Sequence, residues 1–87
     1  MKKFVTVTEV EGEGLTALGG ERITLFCLNY FYTGVLSGVN DEWILLTDAS
    51  IVYETGPLNT PTWADAQALP HPVYVMKRCI ESFMVLK

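Results

Sequence analysis

The pattern of hydrophobic positions between residues 22 and 53 predicts three consecutive β-strands. Apolar and β-branched residues recur there without helical spacing, and turn-type residues interrupt them at Asn29-Tyr30 and at Asn40-Asp41-Glu42. Successive side chains of a strand point to opposite faces, so the first strand has two largely apolar faces. We therefore expect a meander of three strands, at residues 22–28, 30–39 and 43–53.

Two glycines inside the second expected strand indicate that this meander is bent. Gly34 and Gly38 have no side chain to pack, and glycine within a strand is typical of a sharp bend or a close backbone approach. Asp48-Ala49-Ser50 can form a bulge in the third strand. In a chain of this length, such a meander predicts a small, strongly bent, five-stranded open barrel of the all-β class.

The segments on either side of the meander are less regular. Residues 3–10 alternate like a short strand, whereas residues 11–20 contain four glycines and predict a loop with at most one helical turn. Residues 55–72 are bounded by prolines and predict a long loop. Its middle can form two turns of helix, with Thr60 as N-cap, Pro61 as first residue and Pro70 as the stop.

The remaining residues predict two final strands, at residues 73–80 and 83–86. Only Glu81-Ser82 separates them, so we expect an abrupt change of direction near residues 78–82. These strands carry few of the charges or prolines that protect a sheet edge. If residues 73–76 pair with residues 83–86 of a neighbouring copy, the contact is head-to-tail and a fixed rotation closes it into a ring. We therefore expect a cyclic homo-oligomer.

Composition supports self-association. The chain has 87 residues, of which 49% are hydrophobic and only 18% are charged. A single domain of this size has a thin core, since it buries only about 60% of the surface of its unfolded chain. Apolar surface must then be covered elsewhere, and a second copy is the simplest cover.

The charge distribution singles out one basic pair. The formal net charge is −4, and no lysine or arginine occurs between Ile23 and Met76. Lys77-Arg78 is the only adjacent basic pair beyond the start of the sequence. The overall charge argues against a general polyanion-binding protein, but several copies of this pair around one axis would form a concentrated positive surface.

Several classes of function are not indicated. Cys27 and Cys79 lack CxxC spacing and are expected to be buried thiols rather than a disulfide or metal site. His71 has no cysteine or carboxylate at ligand spacing. No catalytic triad, phosphate loop or GxGxxG motif occurs, so we expect neither an enzyme nor a cofactor. Without a signal-peptide pattern or a run of ~18 apolar residues, we expect a soluble cytoplasmic protein without membrane contact.

Two motifs resemble the Sm/Lsm family, and more closely its bacterial Hfq branch. Residues 34–41, reading GVLSGVND and followed by Ile44-Leu45-Leu46, resemble the first Sm motif, and residues 76–82, reading MKRCIES, resemble the second. The resemblance implies one Sm-like domain over residues 1–87. Its parts would be an extension at 1–21, the first motif at 22–54, an inserted loop at 55–72 and the second motif at 73–87.

The resemblance also implies a ring of five to seven subunits that binds single-stranded RNA around its pore, without specificity for DNA. Transferred by motif position, the RNA-binding residues would be in the two turns: Asn40, Asp41, Trp43, Lys77 and Arg78. The residues themselves leave alternatives open. Trp43 can stack on a base or pack in a core or interface, and Lys77-Arg78 can line the pore or pair with Glu81.

A different class of function also fits the sequence. In it the chain forms a structural or protein-interaction ring, the loop at 55–72 contacts protein partners, and RNA has no role. The aromatic residues at 30–32 do not separate the two classes of function. They can pack in the core or contact RNA on the outer face, and the sequence pattern of the two is the same.

Overall fold

A computed structural model describes residues 14–87, so the strand expected at residues 3–10 lies outside the described part. The described residues form an all-β structure, with six strands in one antiparallel sheet that is not closed. The strands are β1 (Arg22–Cys27), β2 (Phe31–Val39), β3 (Trp43–Glu54), β4 (Asp65–Ala68), β5 (Val73–Met76) and β6 (Ile80–Met84). Two short 3-10 helices, Leu15–Leu18 and Lys77–Cys79, precede β1 and join β5 to β6.

The sheet is organised around its longest strand, β3. The first part of β3, from Trp43 to Leu46, pairs with β5, and the last part, from Ser50 to Glu54, pairs with β4. On its other side β3 pairs with β2, and the order continues through β1 to β6. Within residues 14–87, β4, β5 and β6 each pair with one strand, so each has one unpaired edge.

The three strands of the expected meander are confirmed to within one or two residues. Their period-two pattern is also confirmed in β1, where Ile23, Leu25 and Cys27 share one buried face. The single helical turn expected in the glycine-rich segment is confirmed as well, by the first 3-10 helix.

The helix expected within residues 60–69 is wrong. The chain there forms β4, an extended strand on the edge of β3, which makes the sheet six-stranded rather than five-stranded. The Thr60 hydroxyl donates to the Pro57 carbonyl at 2.7 Å instead of capping a helix. A helix of two turns is barely stable in isolation, whereas β3 offers a ready ladder of backbone hydrogen bonds.

The final change of direction overlaps the range expected for it, but the strand before it is shorter than expected. The strand predicted at residues 73–80 ends at Met76, and the chain turns through the 3-10 helix Lys77–Cys79, which begins one residue before the expected range 78–82. The last strand is Ile80–Met84, so Val85 and Leu86 lie beyond it. Lys77-Arg78-Cys79 contains no glycine or proline, and so the local sequence carries no turn signal.

The core lies on the face of the sheet that β1, β2, β3 and β5 share. β1 and β3 contribute several residues to one buried cluster, while β2 and β5 contribute one each. The cluster comprises Ile23, Leu25, Cys27, Leu36, Ile44, Leu46, Ala49 and Val75. Half-buried residues pack around it, among them Leu15 and Leu18 of the first 3-10 helix. The short helix therefore closes one side of a core that the strands alone leave open.

A bulge opposite Gly34 bends the long strand. Thr33 pairs with Ser50 and Val35 pairs with Thr47, so Asp48 and Ala49 together oppose the single residue Gly34. Asp48 has a φ of +47°, in the left-handed region that aspartate tolerates better than most residues. The Arg22 guanidinium pairs with the Asp48 carboxylate and donates to the Asp48 carbonyl at 3.3 Å, which ties β1 to the bulge.

We predict that Gly34→Ala destabilises the protein by about 1–3 kcal/mol, because overpacking forces the backbone apart. A methyl group there would lie 3.0 Å from the Thr47 carbonyl oxygen and 3.1 Å from the Ala49 Cα, both of which are backbone atoms. The free energy of unfolding from urea denaturation measures the effect.

Gly38→Ala is the matched control, since its added methyl would contact only the Leu45 side chain, at 3.4 Å. This change is expected to alter the free energy of unfolding by less than about 1 kcal/mol. Equal destabilisation by the two substitutions would contradict a special role for the backbone contact at Gly34.

Candidate functional site

The turn between β2 and β3 is fixed by the side chain of Asn40. Its Oδ1 accepts hydrogen bonds from the backbone N–H groups of Glu42 and Trp43, each at 2.8 Å. The Asn40 N–H in turn donates to the Trp43 carbonyl at 3.0 Å. An asparagine that closes its own turn in this way explains why Asp41 and Glu42 project into solvent. The Asn40 oxygen is therefore occupied within the turn.

Lys77 and Arg78, the other two predicted RNA-binding residues besides those of β2–β3, follow β5 directly beside this turn. The Lys77 N–H donates to the Glu42 carbonyl at 2.8 Å, which continues the β3–β5 ladder into the 3-10 helix. Successive side chains of a 3-10 helix are separated by about 120°, rather than by the 180° of a strand. Lys77 and Arg78 can therefore both face the Asn40–Glu42 turn, which strict strand alternation would prevent.

Four charged residues surround one open cavity at this end of the sheet. The cavity has a volume of about 260 Å³ and is lined by Asp41, Glu42, Met76, Lys77 and Arg78. Two carboxylates and two cations give it no net formal charge. Within residues 14–87 the only ion pair is Arg22–Asp48, so the expected alternative of a pair with Glu81 is not formed in the single chain.

Trp43 lies beside this cavity rather than in it. Its ring packs edge-to-face against Tyr74 of β5, with ring centroids 6.3 Å apart, and 37% of the residue remains exposed. Trp43 is paired with Met76 in the sheet register, which places it one residue from the basic pair. An indole held by a second aromatic ring can offer its free surface to a base or to an apolar side chain.

All five predicted residues, Asn40, Asp41, Trp43, Lys77 and Arg78, thus lie at one end of the sheet. They come from two segments of the chain, 40–43 and 77–78, that are at least 34 residues apart in sequence. The sequence reasoning missed Tyr74 and Met76, which complete the surface. Alternation in β5 carried a signal for both, since Val75 is buried and its two neighbours must point the other way.

A second aromatic group lies around the turn between β1 and β2. Tyr30 makes edge-to-face contacts with Tyr32 and Tyr53, at centroid distances of 6.5 and 6.0 Å. Phe31 packs edge-to-face on Phe26 at 4.7 Å. These contacts show packing among the aromatic side chains, while Tyr30 and Tyr53 keep about half of their surface exposed, at 47% and 52%.

Both cysteines are free thiols near the second 3-10 helix. Cys27 is buried and Cys79 is half-buried. The Cys27 pKa is raised from an ordinary 9.0 to about 11, first by burial and then by the nearby Cys79 and Glu81. Burial also raises the pKa of Tyr32, with smaller contributions from Cys27 and neighbouring tyrosines. At neutral pH the Cys27 thiol is therefore protonated.

Comparisons with protein-family models, with curated proteins and with solved structures found no match. No helix among the described residues is long and apolar enough to cross a membrane. In the same part of the chain, no three histidine, cysteine, aspartate or glutamate side chains are grouped so as to hold a metal ion.

We predict that Cys27 reacts with Ellman's reagent at least about 100-fold more slowly in the folded protein than in the unfolded one. At pH 8 a shift in pKa from 9.0 to about 11 lowers the thiolate fraction about 100-fold. Cys79→Ser leaves Cys27 as the only thiol, and the labelling rate with and without denaturant measures the ratio.

Cys27→Ser serves as the control, because it leaves the half-buried Cys79. The raised pKa also means that folding favours the protonated Cys27 thiol. Its contribution to stability is present below pH 9 and is lost as the pH rises through about 11. A folded-state labelling rate for Cys27 within tenfold of the unfolded rate would contradict the shift.

Proposed function

We propose that this chain is an Sm-like protein that forms a ring and binds single-stranded RNA at the end of the sheet where the two turns meet. The observation that carries the proposal is the hydrogen bond from Lys77 to Glu42, which brings the basic pair onto the Asn40–Glu42 turn. In the resembled family, the corresponding two turns supply the RNA contacts. The sheet is a strongly bent open barrel in this proposal.

The unpaired edges of β5 and β6 support the ring. The two strands are joined by a three-residue 3-10 helix but pair with opposite ends of the sheet, β5 with β3 and β6 with β1. One copy can therefore offer β5 to one neighbour and β6 to another, which is the head-to-tail contact that closes into a ring. Five to seven subunits would place as many copies of Lys77 and Arg78 around one axis.

The charge balance of the cavity favours a second candidate. Asp41 and Glu42 offset Lys77 and Arg78 within each subunit, which weakens attraction for phosphate. Trp43 and Tyr74 meanwhile expose an aromatic surface of the kind that is enriched at protein interfaces. In this second candidate the ring binds protein partners, with no role for RNA.

We predict that blocking the unpaired edge of β5 dissociates the ring. Because the Lys77 N–H points to β3, the alternation of an antiparallel ladder turns the Met76 N–H away from β3, towards the unpaired edge. Met76 has a φ of −68°, which proline adopts without strain. Met76→Pro therefore removes an outward donor while the β3–β5 ladder stays intact.

Light scattering coupled to size exclusion measures the outcome. The parent protein and Met76→Ala, which keeps the N–H, are expected to have five to seven times the mass of one chain, and Met76→Pro the mass of a single chain. A monomeric parent protein at micromolar concentration would overturn the ring.

We predict that Lys77→Ala/Arg78→Ala abolishes binding of oligo-U and oligo-A at low salt. In the parent protein the affinity should fall steeply with salt, with a logarithmic slope of about 0.7 for each phosphate neutralised. Asp41→Asn/Glu42→Gln is expected to tighten binding, because it removes the opposing carboxylates. Fluorescence anisotropy of labelled RNA at several salt concentrations measures all three.

Lys2→Ala/Lys3→Ala is the matched control, since it removes the same charge from a distant part of the sequence. It should bind RNA like the parent protein if the site is specific. Absence of any anisotropy change with the parent protein at low salt would exclude RNA and leave the protein-interaction ring as the function to test.

A further inference from the structure

The ammonium group of Lys87 is enclosed by oxygens from a single surface segment, residues 55–63. Four oxygen atoms lie within hydrogen-bond distance of its Nζ: the carbonyls of Thr62 at 2.7 Å, Pro57 at 3.0 Å and Thr55 at 3.3 Å, and the Thr60 hydroxyl at 3.3 Å. An ammonium has three N–H donors and no acceptor, so a concave group of oxygens is complementary to it in charge and geometry.

An aromatic ring completes this enclosure. The Nζ of Lys87 lies 4.4 Å from the centroid of the Trp63 ring, within the range of a cation–π interaction. The Trp63 Nε1 is buried and has no hydrogen-bond partner among the residues that the structure describes. The N–H edge of the indole is therefore packed inwards, while its face is turned to the cation. The cation–π contact at the face offsets part of the desolvation free energy lost by burying an N–H without a hydrogen-bond partner.

Hydrogen bonds within the segment also link its polar groups to one another. The Thr60 N–H donates to the Pro57 carbonyl at 3.3 Å, and the Thr60 hydroxyl lies 2.7 and 3.1 Å from the carbonyls of Pro57 and Thr62. Gly56, at a φ of +65°, permits a turn that most residues would strain. These contacts lie within residues 55–63 and do not involve Lys87.

Lys87 reaches this site from a part of the chain that is anchored elsewhere. The Leu86 carbonyl lies 3.1 Å from the hydroxyl of Thr24, which is fully buried in β1. The anchored backbone keeps the ammonium close to the segment, and an attached ligand has a high effective concentration. A free ligand of the same chemistry would have to displace it.

We propose that residues 55–63 form a binding site for a primary alkylammonium group, that is, for a lysine side chain, and that Lys87 occupies this site from within the chain. Lys87 then acts as a resident competitor that excludes a lysine of a partner chain until its own charge or position is changed. The site selects an ammonium with N–H donors, because three of the four oxygens around it are carbonyl oxygens, which can only accept hydrogen bonds. A quaternary ammonium would satisfy only the Trp63 face.

The test uses Lys87→Ala in a Trp43→Phe background, which leaves Trp63 as the only tryptophan. Titration with n-butylammonium is expected to change the Trp63 fluorescence saturably, with half-saturation at millimolar concentration. Trp43→Phe with Lys87 intact should require at least tenfold more ligand. Tetramethylammonium, which can contact only the Trp63 face, should require at least tenfold more ligand than n-butylammonium in the Lys87→Ala protein.

Two further measurements separate binding from folding. Lys87→Met keeps an apolar stem in place of the lysine and is expected to respond like Lys87→Ala, while the midpoint of thermal unfolding of both should rise with n-butylammonium. Adding Thr60→Val, which removes one oxygen, should weaken the response severalfold. No saturable change in Lys87→Ala and Lys87→Met, or an equal response to tetramethylammonium, would overturn the proposal.

Discussion

The close approach of β2 and β3 at Gly34 is the constraint on which the rest of the structure depends. Because no side chain separates the two backbones there, β3 can bulge at Asp48 and Ala49 and change direction. One long strand then serves two partners, β5 before the bulge and β4 after it. A flat single sheet would expose both of its faces, whereas here residues of β1, β2, β3 and β5 gather in one buried cluster.

The same bend determines where the candidate site lies. Since β5 pairs with the beginning of β3, the 3-10 helix that follows it meets the turn that precedes β3. Residues far apart in sequence therefore line one cavity, in which the two carboxylates, Asp41 and Glu42, balance the two cations, Lys77 and Arg78. The same topology places the opposing carboxylates of Asp41 and Glu42 beside the basic pair.

The sequence predicted the parts of the fold that local chemistry determines. Alternation and turn residues located β1, β2 and β3, and Gly34 and Gly38 lie at the two register shifts between β2 and β3. Prediction failed at β4. Thr60-Pro61 is typical of a helix start, but the residues that follow, Asp65–Ala68, pair with the edge of β3 instead of forming a helix. The prediction also extended β5 too far, to residue 80, because Lys77–Cys79 is a turn without turn residues. At the candidate site, the contact between Glu42 and Lys77 and the packing of Trp43 on Tyr74 depend on strand pairing that no local pattern encodes.

β4, which the sequence did not predict, differs from β5 and β6, the other two strands with an unpaired edge within residues 14–87. All four residues of β4 are exposed, and its Asp65 lies opposite Glu54 of β3, so two carboxylates stand side by side at this margin of the sheet. Charged side chains on a short edge strand disfavour pairing with the backbone of another chain. The charges at β4 therefore protect this edge against the strand addition that leads to open-ended aggregation.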